Sequence, residues 1–384
     1  MPSDGEVSQQ QEAAEAGSRI RVLLVGQGAP TAGGIPTFVE SLTKDQWLNR
    51  KASIEFLNTT PEFKKQPGAL DLRNLTQAGR DALAVFGRGR KCDVVHLNLA
   101  PAPSLPLIRA LVLCSIAKAA RTRVILHAHT GRLPACAEKR TYRVLLRLVD
   151  LVADAFVVVS EPAELAARPL VRKTHRLDNG VDVEGIPAGP KSTDPPVLSF
   201  VGTVCERKGL IDLRDALGLV NRRVSRLSSR VRVVIVGDST QEGPDEFERI
   251  KGAFADSGLS MPAFTGRLAR SRVLEVLTET SIFVLPSHWE GFPLSLLEGM
   301  AAGAAVVATN VGEIPRMLDF GAAGILVEPH DPAALGRAVE ELLLDPTYRE
   351  RLGAAARRRV EEQFSQGALV RKIWGLYTGA PQSM

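Results

Sequence analysis

Short runs of β-branched and aliphatic residues alternate with helix-period segments along almost the whole chain, and a parallel sheet with crossover helices is what such alternation specifies. The first series reads Ile20 to Val25 as strand, Pro36 to Leu48 as helix and Ser53 to Leu57 as strand. It continues through strands at Val94 to Leu97, Val124 to His127 and Phe156 to Val159. An Asn179-Gly180 turn and the proline-rich stretch Pro187 to Pro196 then interrupt the pattern. A second series runs through Val197 to Val201, Val231 to Val236, Phe264, Ile282 to Leu285, Val306 to Ala308 and Ile325 to Val327. The 384 residues divide into two domains at a typical size of roughly 150 each. The expectation is α/β, with two doubly wound domains. A tail covers residues 1–18, a first domain 19–178, a linker 179–196 and a second domain 197–365. A closing helix in 366–384 returns to the first domain. Open sheets of this type bind ligands outside the carboxyl ends of their strands, which places the ligand in a central cleft faced by the two domains.

Charge narrows the partners. The net charge of +5 is unevenly spread: residues 19–178 hold 25 Lys and Arg against 13 Asp and Glu, whereas residues 1–18 hold four acids and no base. A first domain this basic suits an anionic partner, either a phosphate-bearing substrate or an acidic membrane surface. Aromatic residues make up 5% of the chain, too few for the stacking platforms that read nucleic acid, so no nucleic-acid partner is expected. Hydrophobic residues at 45% and charged residues at 24% fit a soluble globular protein. The apolar stretch Leu97 to Ala117 contains Arg109, Pro101, Pro103 and Pro106, which a membrane span would not accommodate. Four widely spaced cysteines, with no Cys-x-x-Cys pair, fit a reducing cytoplasm. The tail has no apolar core of a leader peptide and reads as disordered.

Four segments carry residues with chemical capacity. The first strand runs into GQGAPTAGGIPTF, where Gly33 and Gly34 precede a helix whose first amides favour a phosphate. A dinucleotide fingerprint fails, because Thr31 takes the place of the third glycine and the next strand ends without an acid for a ribose. His129, in VILHAHTGR, sits just past a strand, with His127 on the same side two residues earlier. His96, at another strand end, reads as structural. In the second domain, FVGTVCERKGL sets Arg207 and Lys208 after its first strand and before a helix, a position suited to a diphosphate. Finally, LPSHWEGFPLSLLEGMAAG passes from a strand through a tight turn into a helix beginning near Pro293, so that Glu290 lies in the turn and Glu298 inside the helix. Carboxylates embedded among Gly, Pro and apolar residues require partners, and a polyol ligand supplies them.

With these residues in place, nearly everything after Ser18 resembles the retaining glycosyltransferases of family 4, also called group 1, with two Rossmann-like domains in the GT-B architecture. EGFPLSLLE is similar to that family's E-x7-E motif, accompanied by ATNVGEIP, the Gly33-Gly34 loop, HAHTGR, NGVD at Asn179 to Asp182 and ERKG. The resemblance implies an acceptor-side first domain and a nucleotide-sugar-binding second domain. It implies catalytic roles for Glu290 against the donor sugar, His129 at the sugar and Lys208, with Arg207, at the diphosphate. Glu298 would hold the ribose diol. Backbone at Gly34, Gly291, Phe292, Pro293 and Leu294 would surround phosphates and sugar, and Gly266 and Arg267 would lie near the base. Where the family often carries an arginine after the strand glycine, this chain has Thr203, leaving the positive charge to Lys208 and Arg207.

The reaction so implied moves a sugar from a nucleotide-diphosphate donor to a glycan or lipid-linked glycan acceptor, with a role in cell-surface polysaccharide synthesis. It uses no cofactor beyond that co-substrate. No metal ligand is assigned, since the chain lacks an Asp-x-Asp sequence and fixed cations and helix amides serve the leaving group. Two other readings remain: a sugar-nucleotide epimerase of the same fold, and a membrane-associated non-catalytic subunit. The last rests on the basic amphipathic run Lys139 to Val152, whose Arg140, Arg143 and Arg147 suit an anionic surface at the inner face of the cell membrane.

Overall fold

The computed structural model describes residues 19–31, 33–60, 72–189, 195–223, 231–239, 244–257 and 261–380. The acidic tail expected at 1–18 lies outside them. The chain forms two compact units, one from Met1–Val158, Glu164–His175 and Val370–Met384, the other from Val159–Ala163 and Arg176–Leu369.

In the first unit, strands β1 (Ile20–Gly26), β2 (Ala52–Asn58), β3 (Val94–Leu99), β4 (Arg123–Ala128), β5 (Ala155–Val158) and β6 (Thr174–Arg176) form one sheet in the order β2-β1-β3-β4-β5-β6. The pairs β1/β2, β1/β3, β3/β4 and β4/β5 are parallel. Every residue of β3 and β5 is buried, as expected of strands covered by helices on both faces. The winding reverses between β1 and β3.

The second unit repeats the plan with β7 (Val197–Val201), β8 (Arg232–Val236), β9 (Ala263–Gly266), β10 (Ile282–Leu285), β11 (Ala305–Thr309) and β12 (Ile325–Val327). Their order is β12-β11-β10-β7-β8-β9, with parallel pairing throughout. Here the winding reverses between β7 and β10. Each reversal opens a crevice at the carboxyl ends of two neighbouring strands, and side chains from the two following loops converge there.

Three boundaries differ from the sequence reading. The helix expected from Pro36 to Leu48 is two helices, Gly34–Lys44 and Gln46–Lys51. Between them Asp45 is extended, and its carboxylate accepts a hydrogen bond from the Leu48 amide at 2.8 Å, starting a new helix rather than extending the old one. The first part of the expected linker is built into the second unit: Val183 and Ile186 belong to its core, and Val181 exchanges backbone hydrogen bonds of 2.9 Å with Phe364 and Gln366. Residues 190–194 lie outside the described residues. The last helix, Gln366–Thr378, crosses units, with Val370 onward in the first. There the Tyr377 hydroxyl bonds His96 Nδ1 at 2.9 Å, Arg123 Nε donates to the Leu376 carbonyl at 2.9 Å, and Trp374 meets Trp47 edge-on.

His96 and His127 lie side by side on β3 and β4 without solvent contact. Burial holds both neutral, pushing His96 down to about 3 and His127 well below its ordinary value. In the unfolded chain both titrate near 6.5, so the stability that their neutral burial confers is complete above that pH. It is lost as acid protonates the unfolded state, across the window from about 6.5 to about 3. Each histidine removes up to about 1.4 kcal/mol per pH unit there, so the melting temperature should fall between about pH 7 and about pH 5, above the range where ordinary carboxylates titrate. Equal melting temperatures at the two values would contradict the assignment.

Candidate active site

At the reversal point of the second sheet, the loops after β7 and β10 are locked together. β7 leads into a 3-10 turn, Glu206–Lys208, closed by Gly209 in the left-handed region at φ 67°. A Cβ on Gly209 would sit 1.9 Å from the Pro286 carbonyl oxygen, so no larger residue allows this approach. The His288 amide donates to the Arg207 carbonyl at 2.8 Å across the same junction.

This junction brings Lys208 and Glu290 into contact. Lys208 Nζ donates to Glu290 Oε1, and the Ser287 hydroxyl donates to that same oxygen at 2.8 Å. Only 10% of the lysine and 8% of the glutamate side chain reach water, so each charge depends on the other and on further polar partners. The Glu290 turn is held from outside as well. Gly312, at φ 57°, lets the loop after β11 pass directly against the Glu290 carbonyl, and the Glu313 amide donates to the Gly291 carbonyl at 3.1 Å. Asn179 of the NGVD sequence donates to the Phe292 carbonyl at 3.4 Å.

Pro293 then introduces the helix Leu294–Ala301, with Gly291 and Phe292 just before it. Glu298 lies inside this helix, buried, and burial raises its carboxyl pKa. Arg270 opposes that shift, its Nη1 donating to Glu298 Oε1 at 2.6 Å. The sequence reading missed Arg270, because an arginine at the start of a surface helix carries no local signal of its partner. Gly266 ends β9 and Arg267 follows it, so the expected base-side residues precede Glu298's partner in the chain by four and three positions. Arg207 turns toward Trp289, its guanidinium 4.6 Å from the ring centroid.

The remaining expected residues gather in the first unit, at the carboxyl ends of β1, β3 and β4. His129 is half-buried and neutral, lowered to about 3 mainly by burial. Its Nε2 bonds Asn98 Oδ1 at 3.0 Å, and its ring lies 4.7 Å from Phe38 and stacks on His127 at 4.1 Å. Phe38 belongs to the helix that Gly33, at φ 135°, and Gly34 open. Both glycines are exposed, and among the described residues nothing occupies the space a Cβ would fill.

Residues 184–359 match the profile of glycosyl transferases group 1. Over that segment the chain is similar to the group 1 glycosyl transferases. Lys208, Arg270, Glu290 and Glu298 fall inside the matched segment, whereas Gly33, Gly34 and His129 precede it. The chain is 32% identical over 223 residues to alpha-maltose-1-phosphate synthase of Mycobacterium tuberculosis, covering 53% of this chain and 56% of that protein. It thus spans a little over half of that relative's length. Among solved structures, sucrose-phosphate synthase from Thermosynechococcus elongatus superposes with a TM-score of 0.75 at 20% identity, over 94% of this chain and 99% of the other. Anabaena Alr3699/HepE, solved in complex with UDP and glucose, gives 0.72 at 16% identity, over 94% and 100%. These likenesses establish the GT-B fold.

At the loop junction between β7 and β10, Gly209 leaves no space for a side chain. Gly209→Ala combines a backbone clash with left-handed strain and should cost more than about 2 kcal/mol in urea unfolding. A variant within about 0.5 kcal/mol of wild type would show the junction to be loose.

Proposed function

We propose that the chain is a retaining glycosyltransferase that moves a sugar from a nucleotide-diphosphate donor to a glycan or lipid-linked glycan acceptor in polysaccharide synthesis. One observation carries the reading: a buried Lys208–Glu290 pair at the reversal point of the second sheet, beside the start of the helix that holds Glu298. An ammonium has three donor hydrogens, and Glu290 uses one, so Lys208 retains capacity for diphosphate oxygens. Amides in the first turn of Leu294–Ala301 add positive potential at the same place. As the glycosidic bond breaks, charge grows on the departing diphosphate, and groups fixed in advance stabilise that state more than the ground state. The reading therefore puts no divalent ion in the reaction, and turnover should need no added magnesium or manganese.

Glu290 takes the sugar hydroxyls in this reading. Glu298, with Arg270 balancing its charge, takes the ribose diol, and Gly266 and Arg267 flank the base. His129 contacts the sugar as a neutral imidazole, fixed by Asn98 and Phe38. Retention follows from front-face attack assisted by the departing phosphate. The Anabaena complex with UDP and glucose makes a uridine donor the first to try.

Donor-dependent nucleotide release should fall by about a hundredfold or more in Lys208→Ala and in Glu298→Ala, the scale on which removal of a transition-state contact acts. Undiminished release in both would sink the proposal. Conversion of donor sugar without acceptor would favour an epimerase instead.

A second observation supports contact with an anionic membrane. Helix Arg140–Val152 buries Tyr142, Leu146 and Val149 but leaves Val144, Leu148 and Leu151 exposed among the exposed Arg140, Arg143 and Arg147. Apolar side chains flanked by arginine suit an acidic headgroup layer. Among the described residues no helix is long and apolar enough to cross a membrane. Vesicles containing phosphatidylglycerol should carry the protein upward on flotation and lose it when the three arginines become glutamates. Equal flotation with neutral vesicles would remove the membrane from the account.

A further inference from the structure

Asp212, His288 and His330 bring one ligand atom each to within 4.8 Å of one another, and the donor chemistry uses none of them. They come from three separate elements. Asp212 lies in the first turn of helix Leu210–Arg223, His288 in the turn after β10 and His330 just before helix Pro332–Leu344. Asp212 Oδ2 stands 3.0 Å from His288 Nε2, and the rings of His288 and His330 face one another with centroids 3.8 Å apart. His330 holds this place with φ at 62°, a conformation that residues with a Cβ seldom adopt. The Asp212–His288 hydrogen bond explains two of the three positions. It gives no reason for a second imidazole held against the first.

We propose that these three side chains bind a late first-row divalent cation, zinc foremost, outside the donor chemistry. Two imidazoles and one carboxylate are a common zinc set, leaving a fourth tetrahedral position for water, and nitrogen ligands select zinc over magnesium or calcium. Ligand atoms at about 2.0–2.1 Å from a tetrahedral centre lie about 3.3 Å apart, close to the present Asp212–His288 spacing. His330 is exposed, so its ring has room to make up the remaining distance. A bound ion would fasten helix Leu210–Arg223 and the loop before Pro332 to the turn carrying Glu290. Lys208 precedes that helix by two residues, so the ion would stiffen both sides of the donor junction without entering it.

The test uses tag-free, full-length protein stripped of metal and titrated with Zn2+ against a chromogenic chelator. Parallel Co2+ titrations read the visible ligand-field absorption of a nitrogen-ligated ion. The wild type should take up one equivalent, and His330→Ala and Asp212→Asn should each weaken uptake by at least about tenfold. His330→Ala removes an exposed ring and leaves the Asp212–His288 bond intact, so its folding, checked by circular dichroism, is expected to match wild type. No uptake by the wild type, or undiminished uptake by a folded His330→Ala, would overturn the site. Neither outcome depends on donor turnover, so this site and the proposed reaction can fail separately.

Discussion

An ammonium and a carboxylate packed together away from water lose more hydration than their mutual attraction returns, unless other polar groups complete their bonding. In the Lys208–Glu290 pair the Ser287 hydroxyl supplies such a further bond, donating to Glu290 Oε1. Loss of either partner leaves an uncompensated buried charge, so the pair also fixes its surroundings. The Gly209 crossing at Pro286, the Arg207–His288 backbone bond and the Gly312 approach to Glu290 surround the place where two charges from distant parts of the chain meet.

Sheet order makes that placement possible. β7 and β10 pair although 80 residues lie between Val201 and Ile282, and the winding reverses between them, so the loops that follow open over the same crevice. The first unit uses the same device between β1 and β3, where Asn98 and the helix opened by Gly34 converge on His129. Buried neutral histidines anchor this second arrangement, and Tyr377 ties it to the last helix.

Much of this was legible in the sequence because parallel strands are buried on both faces and write themselves as continuous aliphatic runs. All strand runs named in the sequence have counterparts in the two sheets, although β6 is only three residues long and gave no signal. The Glu290 and Glu298 spacing was legible because acids in an apolar, glycine-bearing context need partners. The partners themselves were not. Arg270 reaches Glu298 from 28 residues away, and Asp212, His288 and His330 are brought together by tertiary folding alone. The break at Asp45 escaped notice because periodicity continues across it while one capping carboxylate restarts the helix. The NGVD sequence read as part of a linker because its glycine marks a turn, whereas Asn179 spends its amide holding the turn after Glu290.

The central claim is that Lys208 is a diphosphate site whose geometry Glu290 maintains. Its most direct test is equilibrium binding of UDP, GDP and ADP, each beside its parent nucleoside, measured by calorimetry on wild type and Lys208→Met. The account requires one of the three diphosphates to bind the wild type and to lose about tenfold or more of its affinity in the variant, which corresponds to about 1.4 kcal/mol, while the nucleoside binds both proteins alike. Equal affinity of that diphosphate for both proteins would contradict it.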